Sequence, residues 1–196
     1  VRQLSNTPFM VFVIAMPTAM YLMFSAMWGD AVLADGTSFG AVLMTMMATY
    51  GGLGAALHAG NAIQAERSTG WLRQIQLTPL RPAEYLAVKA LVAVCVVVPA
   101  VGIIYAVAAA RGVHLDANAW ALSSGLLLAA LAPMIVIGLV IGVWFNPEAA
   151  NPATTLTMLA LSMLGGLWFD ITSMPAVMQD IAHALPSYWA LQFAQW

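Results

Sequence analysis

Five long apolar runs alternate with short polar stretches along this chain, and that alternation predicts its architecture. The runs cover residues 8–29, 39–62, 83–110, 119–145 and 153–169, and the third is free of charge from residue 90 onward. A helix needs about 20 apolar residues to cross a hydrocarbon core of about 30 Å, so each run reads as a transmembrane helix, the fifth at the short end of the range. Pro8 and Pro152 suit the starts of the first and fifth helices, and Pro17 and Pro99 should bend the first and third spans. In the first span, Met16, Met20, Met23 and Met27 recur at helical spacing and share one face. That face suits lipid, helix packing or a soft wall for a greasy substrate. The second span carries a patch of small residues, Gly51, Gly52, Gly54, Ala55 and Ala56, which permits close helix contact. His58 follows near its end and is read as locally hydrogen-bonded. Gly138 and Gly142 form a GxxxG pair in the fourth span, a pattern explained best by close packing.

The polar stretches differ in character. Residues 66–89 hold Glu66, Arg67, Arg73, Arg81, Glu84 and Lys89. Such charges need water or protein partners and cannot face lipid. Ser68 or Thr69 could cap a short helix there. Trp71, Leu72 and Ile75 fall on one stripe of it, with Arg67, Arg73, Gln74 and Gln76 on the other faces. Pro79 and Pro82 then turn the chain back toward the bilayer, and Lys89 can snorkel to its surface. Two readings fit this stretch: an interfacial anchor, or a docking site for a partner that drives the membrane part. The tail from residue 170 mixes charge with a helical period of Met174, Val177, Met178, Ile181 and Leu185. Pro175 suits the start of that helix and Pro186 its end. It reads as an external amphipathic helix over about 174–186, at or dipping into the interface, with Trp189 near headgroup level.

Composition sharpens this picture. The 196 residues are 62% hydrophobic and only 7% charged, whereas a soluble domain has about 25% charged residues. The net charge of −2 and the absence of a basic run give no sign of nucleic-acid binding. A single cysteine, Cys95, excludes an intrachain disulfide. With the N-terminus inside, Arg2, Arg67, Arg73, Arg81 and Lys89 share the inner side and only Arg111 lies outside. This places the charged loop in the cytoplasm. The chain has no phosphate-binding GxxxxGK[ST] loop, no HExxH and no GxSxG, and no metal-ligand spacing. The spans lack the midplane charges that ion-driven carriers commonly use. Any energy supply should therefore come from outside the membrane part.

Three stretches carry a resemblance to a known family. The first runs Glu66–Arg67–Ser68–Thr69–Gly70, then Leu77–Thr78–Pro79–Leu80, then Tyr85–Leu86–Ala87–Val88–Lys89. The second is the glycine-bearing fourth span. The third is Gly165–Gly166–Leu167–Trp168–Phe169, Met174–Pro175 and Leu185–Pro186–Ser187–Tyr188–Trp189. In this order they resemble the membrane subunit of an ABC transporter of the type-2 exporter class, which includes bacterial drug-export permeases. The resemblance implies an all-α integral membrane fold with a sixth helix beyond residue 196, an extracellular re-entrant helix, and a family N-terminal helix that is largely absent here. It implies a cytoplasmic coupling helix over about 66–78, seated on an ATPase. Glu66, Arg67, Thr69, Gly70, Trp71, Leu72, Arg73, Ile75, Leu77, Thr78 and Pro79 would form that interface. It further implies two ATPase subunits that bind Mg-ATP, no cofactor in this chain, and a second permease copy, identical or not. The location would be the bacterial inner membrane, in contact with lipid. Met16, Met20, Met23, Gly138 and Gly142 are candidates for a substrate path or for helix packing, and Gly165, Gly166, Pro175, Pro186 and Trp189 for the external re-entrant region. The competing readings are a secondary carrier or channel that follows an ion gradient, and a non-transporting membrane anchor subunit.

Overall fold

A computed structural model of the chain describes residues 7–29, 31–33, 36–71, 81–168, 171 and 174–195, with side chains from Val13 to Gln192. Among these residues every regular element is a helix, and the only sheet-like contact is an isolated bridge between Val32 and Ser38. The helices are α1 (Thr7–Trp28), α2 (Phe39–Leu57), α3 (Asn61–Ser68), α4 (Pro82–Ala110), α5 (Ala117–Trp144), α6 (Pro147–Leu164), α7 (Ala176–Ala184) and α8 (Pro186–Gln195). A single 3-10 turn, His58–Gly60, joins α2 to α3.

Helices α1, α4 and α5 follow the apolar runs to within two residues. The second run departs from expectation. It was expected to stop near residue 62, yet helix continues from Phe39 to Ser68. Polar side chains beyond Gly60 do not end the helix because the protein itself supplies partners to Gln64, Glu66 and Arg67. Ser68 and Thr69 were expected to open a helix, but they close α3. Their hydroxyls donate back to the Ala65 carbonyl at 3.0 Å. Gly70 then takes φ +72°, the left-handed conformation that glycine adopts without steric cost at a helix end.

The fifth run was expected to begin at residue 153 with Pro152 at the helix start, but α6 begins at Pro147. Proline at the first helical position loses no hydrogen bond, and Glu148 in the first turn complements the helix dipole, so the polar stretch before 153 is helical. Pro152 lies inside α6 instead. The helix stops at Leu164, short of 169, because Gly165 closes it and Gly166 turns with φ +80°. The tail holds two helices where one was expected, divided at Leu185 with Pro186 opening α8.

Three of the described helices are long and apolar enough to cross a membrane: Phe39–Ser68, Pro82–Ala110 and Ala117–Trp144. Val13–Trp28 is a shorter apolar helix. Helix α2 lies at the centre and touches α1, α4, α5, α6 and α8. Its small residues are buried, and Pro17 of α1 lies in van der Waals reach of Gly51. Helices α4 and α5 turn Leu91, Val94 and Val98, and Leu122, Val136 and Val140, outward. An apolar outer face of this kind is what helices surrounded by hydrocarbon present.

The α2–α3 junction and α5 cross in close backbone contact. A Cβ at Gly138 would collide with the carbonyl oxygens of Ala56 and Leu57, and one at Gly142 with the backbone of Gly60. The reverse holds too, since a Cβ at Gly60 would meet the Gly138 oxygen. Here the GxxxG spacing brings two backbones into contact.

Candidate functional site

The charged loop is rooted on α3, and the root is built from reciprocal contacts. Gln64 is buried, and its Nε2 donates to the carbonyls of Gly142 at 2.5 Å and Phe145 at 2.9 Å. Arg67 lies one turn further along, where its Nη1 donates to Val143 and Phe145, both at 2.9 Å. These carbonyls sit at the C-terminal end of α5, where intrahelical donors run out. A guanidinium there also meets the negative end of the helix dipole. The α5–α6 corner is therefore capped by α3.

Glu66 reaches the other way. Its Oε1 accepts from Lys89 Nζ at 2.5 Å and its Oε2 from the Tyr85 hydroxyl at 2.6 Å. Lys89 Nζ also lies 5.3 Å from the centre of the Tyr85 ring. The Lys89 and Glu66 side chains are only 14% and 27% exposed. Removing one partner of a pair this sheltered costs more than losing a surface ion pair, because the other charge is left uncompensated. Glu84 Oε2 in turn accepts from the Arg81 backbone N–H at 3.1 Å and closes the first turn of α4. Both ends of the loop are thus fixed to the helical bundle.

The residues expected at the coupling interface fall into three groups. Glu66 and Arg67 lie on α3 with partners inside the chain. Thr69 and Gly70 form the turn after it, and Trp71 is half exposed. Leu72, Arg73, Ile75, Leu77, Thr78 and Pro79 lie outside the described residues. Sequence reasoning missed Gln64 and Tyr85 as site residues and gave Lys89 only a snorkelling role. Lys89 and Glu66 are 23 positions apart, so no local spacing relates them. The signal that could have found the pair is their opposite charge on two runs flanking one loop.

A second feature is a cavity of about 340 Å³ between α1, α2 and α6. Val13, Met16 and Pro17 line one side, Tyr50, Gly51 and Gly54 another, and Thr155, Met158 and Leu159 the third. His58 also lines it, with Nδ1 held 2.9 Å from the Gly54 carbonyl. A mostly apolar lining with a few polar groups suits a small greasy ligand. Of the methionines expected on one face, Met16 lines this cavity, Met20 packs partly buried against the core, and Met23 is 53% exposed. Gly138 and Gly142 belong to the helix crossing described above.

At the opposite end of the bundle, Gly165 caps α6 and lies against Ser187, where a Cβ would strike the serine side chain. Gly166 makes the following turn. Pro175 precedes α7, and Pro186 opens α8. Trp189 Nε1 donates to the His183 carbonyl at 2.8 Å and so ties α8 to the end of α7. Helix α8 packs along α5 and reaches α2.

Comparison with known proteins bears on all of these features. The profile of the ABC-2 family transporter proteins matches residues 34–195. A Bacillus subtilis (strain 168) protein that carries the name of a transport permease, YvfS, is 28% identical over 189 residues, covering 95% of this chain and 77% of its own length. No solved structure matches the chain. The family match runs from before α2 to the end of α8 and takes in the loop root, the glycine crossing and the tail, and on that match the chain belongs to the ABC-2 family of transporter proteins.

Proposed function

We propose that this chain is the membrane-spanning permease subunit of an ATP-driven exporter that moves a hydrophobic or amphipathic substrate out of the cell. Mg-ATP is hydrolysed by a separate ATPase subunit present in two copies, and a second permease copy completes the membrane part. The charged loop over 66–78 faces the cytoplasm of a bacterial cell and docks the ATPase, with Trp71 as an exposed aromatic anchor. ATP-driven closure of the ATPase pair moves the loop, and the helices rooted on it follow. The cavity beside Met16 and Met158 gives the substrate an apolar resting place.

The observation that carries this reading is the family match over residues 34–195, which contains the whole charged loop. The loop root supports it, because a segment pinned to several helices can pass movement to them. The test is purification of the tagged full-length permease in mild detergent together with its ATPase subunit, followed by reconstitution into vesicles. An ATPase subunit that co-purifies and is lost on Trp71→Ala with Arg73→Glu is the expected result, as is accumulation of a lipophilic cationic dye that requires ATP. Dye movement that follows a proton gradient, with no ATPase bound, would overturn the reading.

A further inference from the structure

The loop root contains two adjacent, oppositely charged residues that face different helices. Arg67 is spent on the carbonyls at the end of α5, and Glu66 has one oxygen on Lys89 and the other on Tyr85 of α4. Two of the charges expected to meet a partner protein, Glu66 and Arg67, thus have partners within the chain. The bond between residues 66 and 89 also closes the stretch of chain that carries the docking segment. Its other end is held by the Glu84 side chain on the Arg81 backbone.

We infer that Glu66 is a positioning residue: with Lys89 and Tyr85 it fastens the root of the loop to α4, as Arg67 fastens it to α5, so that a push on the loop reaches α2, α4 and α5 through one joint. This rests on the loop being the ATPase-docking segment. The geometry favours an internal role over direct contact. The pair is largely sheltered, with Lys89 14% and Glu66 27% exposed, and each carboxylate oxygen of Glu66 already accepts a hydrogen bond from α4. Trp71, by contrast, is half exposed. Docking and force transmission are therefore divided between neighbouring residues of one loop.

The experiment is a charge-swap cycle in the full-length permease co-expressed with its ATPase subunit. Four forms are compared in lipid nanodiscs: wild type, Glu66→Lys, Lys89→Glu and the double swap. Two quantities are read for each form, the amount of ATPase subunit that co-purifies and the rate of ATP hydrolysis per complex. The inference expects co-purification to stay within about twofold of wild type, hydrolysis to fall about tenfold in each single variant, and the double swap to recover most of that loss, as interacting charges do in such cycles. Tyr85→Phe removes one hydrogen bond and no charge, and it should lower hydrolysis about twofold to fivefold with docking intact. If a single swap fails to fold, recovery in the double swap together with the Tyr85→Phe result carries the test.

Loss of co-purification in Glu66→Lys that the double swap does not repair, with Lys89→Glu normal, would overturn the inference and make Glu66 a partner contact. Hydrolysis unchanged in all variants would also overturn it. Absence of any ATPase subunit from the wild-type complex is a different result and would strike the proposed function instead.

Discussion

Individual glycines in this protein answer to different constraints, and their substitutions should differ in sign. Gly138 faces the carbonyls of Ala56 and Leu57 with no room for a Cβ. Gly125, on the same helix, has nothing within contact distance of an added Cβ. Gly138→Ala should destabilise the protein by about 2–4 kcal/mol, because the backbone must move. Gly125→Ala should be neutral or stabilise it by up to about 1 kcal/mol through helix propensity. Thermal unfolding in detergent checks both, and equal midpoints for the two variants would remove the backbone contact as an explanation. Close packing at Gly138 and Gly142 was legible in the sequence because small-residue spacing is a local property. The Glu66–Lys89 pair was not legible, since it depends on where two residues 23 positions apart, on separate helices, come to rest. The methionine face was legible only as a face. Its spacing said which side chains point together, and the neighbours decided that Met16 meets a cavity while Met23 faces outward.

At the scale of elements, hydropathy located the middles of helices better than their ends. Runs bounded by turns, such as α4 and α5, were readable to within two residues. Ends were misplaced where polar residues stayed helical. Gln64 and Arg67 continue α3 because they find the carbonyls at the end of α5, a partner that no local pattern reveals. The start of α6 was hidden by Glu148, which suits a first turn though it interrupts an apolar run. The end of α3 is set by Gly70 at φ +72°. Gly70→Val forces a β-branched residue into a left-handed conformation at a cost of about 1–3 kcal/mol, and the last turn of α3 should fray. Hydrogen exchange at residues 65–69 should then accelerate about tenfold or more, while α5 stays protected. Unchanged exchange there would show that the loop holds the turn by other means.

For the whole molecule, the all-helical class and the membrane assignment were legible from composition and run length alone. What the sequence could not supply was the arrangement that puts α2 at the centre and leaves α4 and α5 with apolar outer faces. Cys95 tests that arrangement. It is exposed, and it lies well inside the apolar span of α4. In intact membranes it should react with a lipid-soluble maleimide and resist a charged, water-borne thiol reagent, each added from either side. Rapid reaction with the charged reagent would place Cys95 on a water-filled path.

The continuity of helix through the glycine crossing has a mechanical consequence. Helix α2 has 19 residues on one side of the His58–Gly60 turn and α3 has 8 on the other. At a rise of about 1.5 Å per residue these are arms of roughly 28 Å and roughly 12 Å. The contact of Gly60 with Gly138 and Gly142 sits between them as a fulcrum. When the rod tilts about that point, a sideways step of about 1 Å at the short arm becomes about 2 Å, in the opposite direction, at the far end of the long one. The unequal arms give any such tilt a gain of about two between the loop end of α3 and the far end of α2.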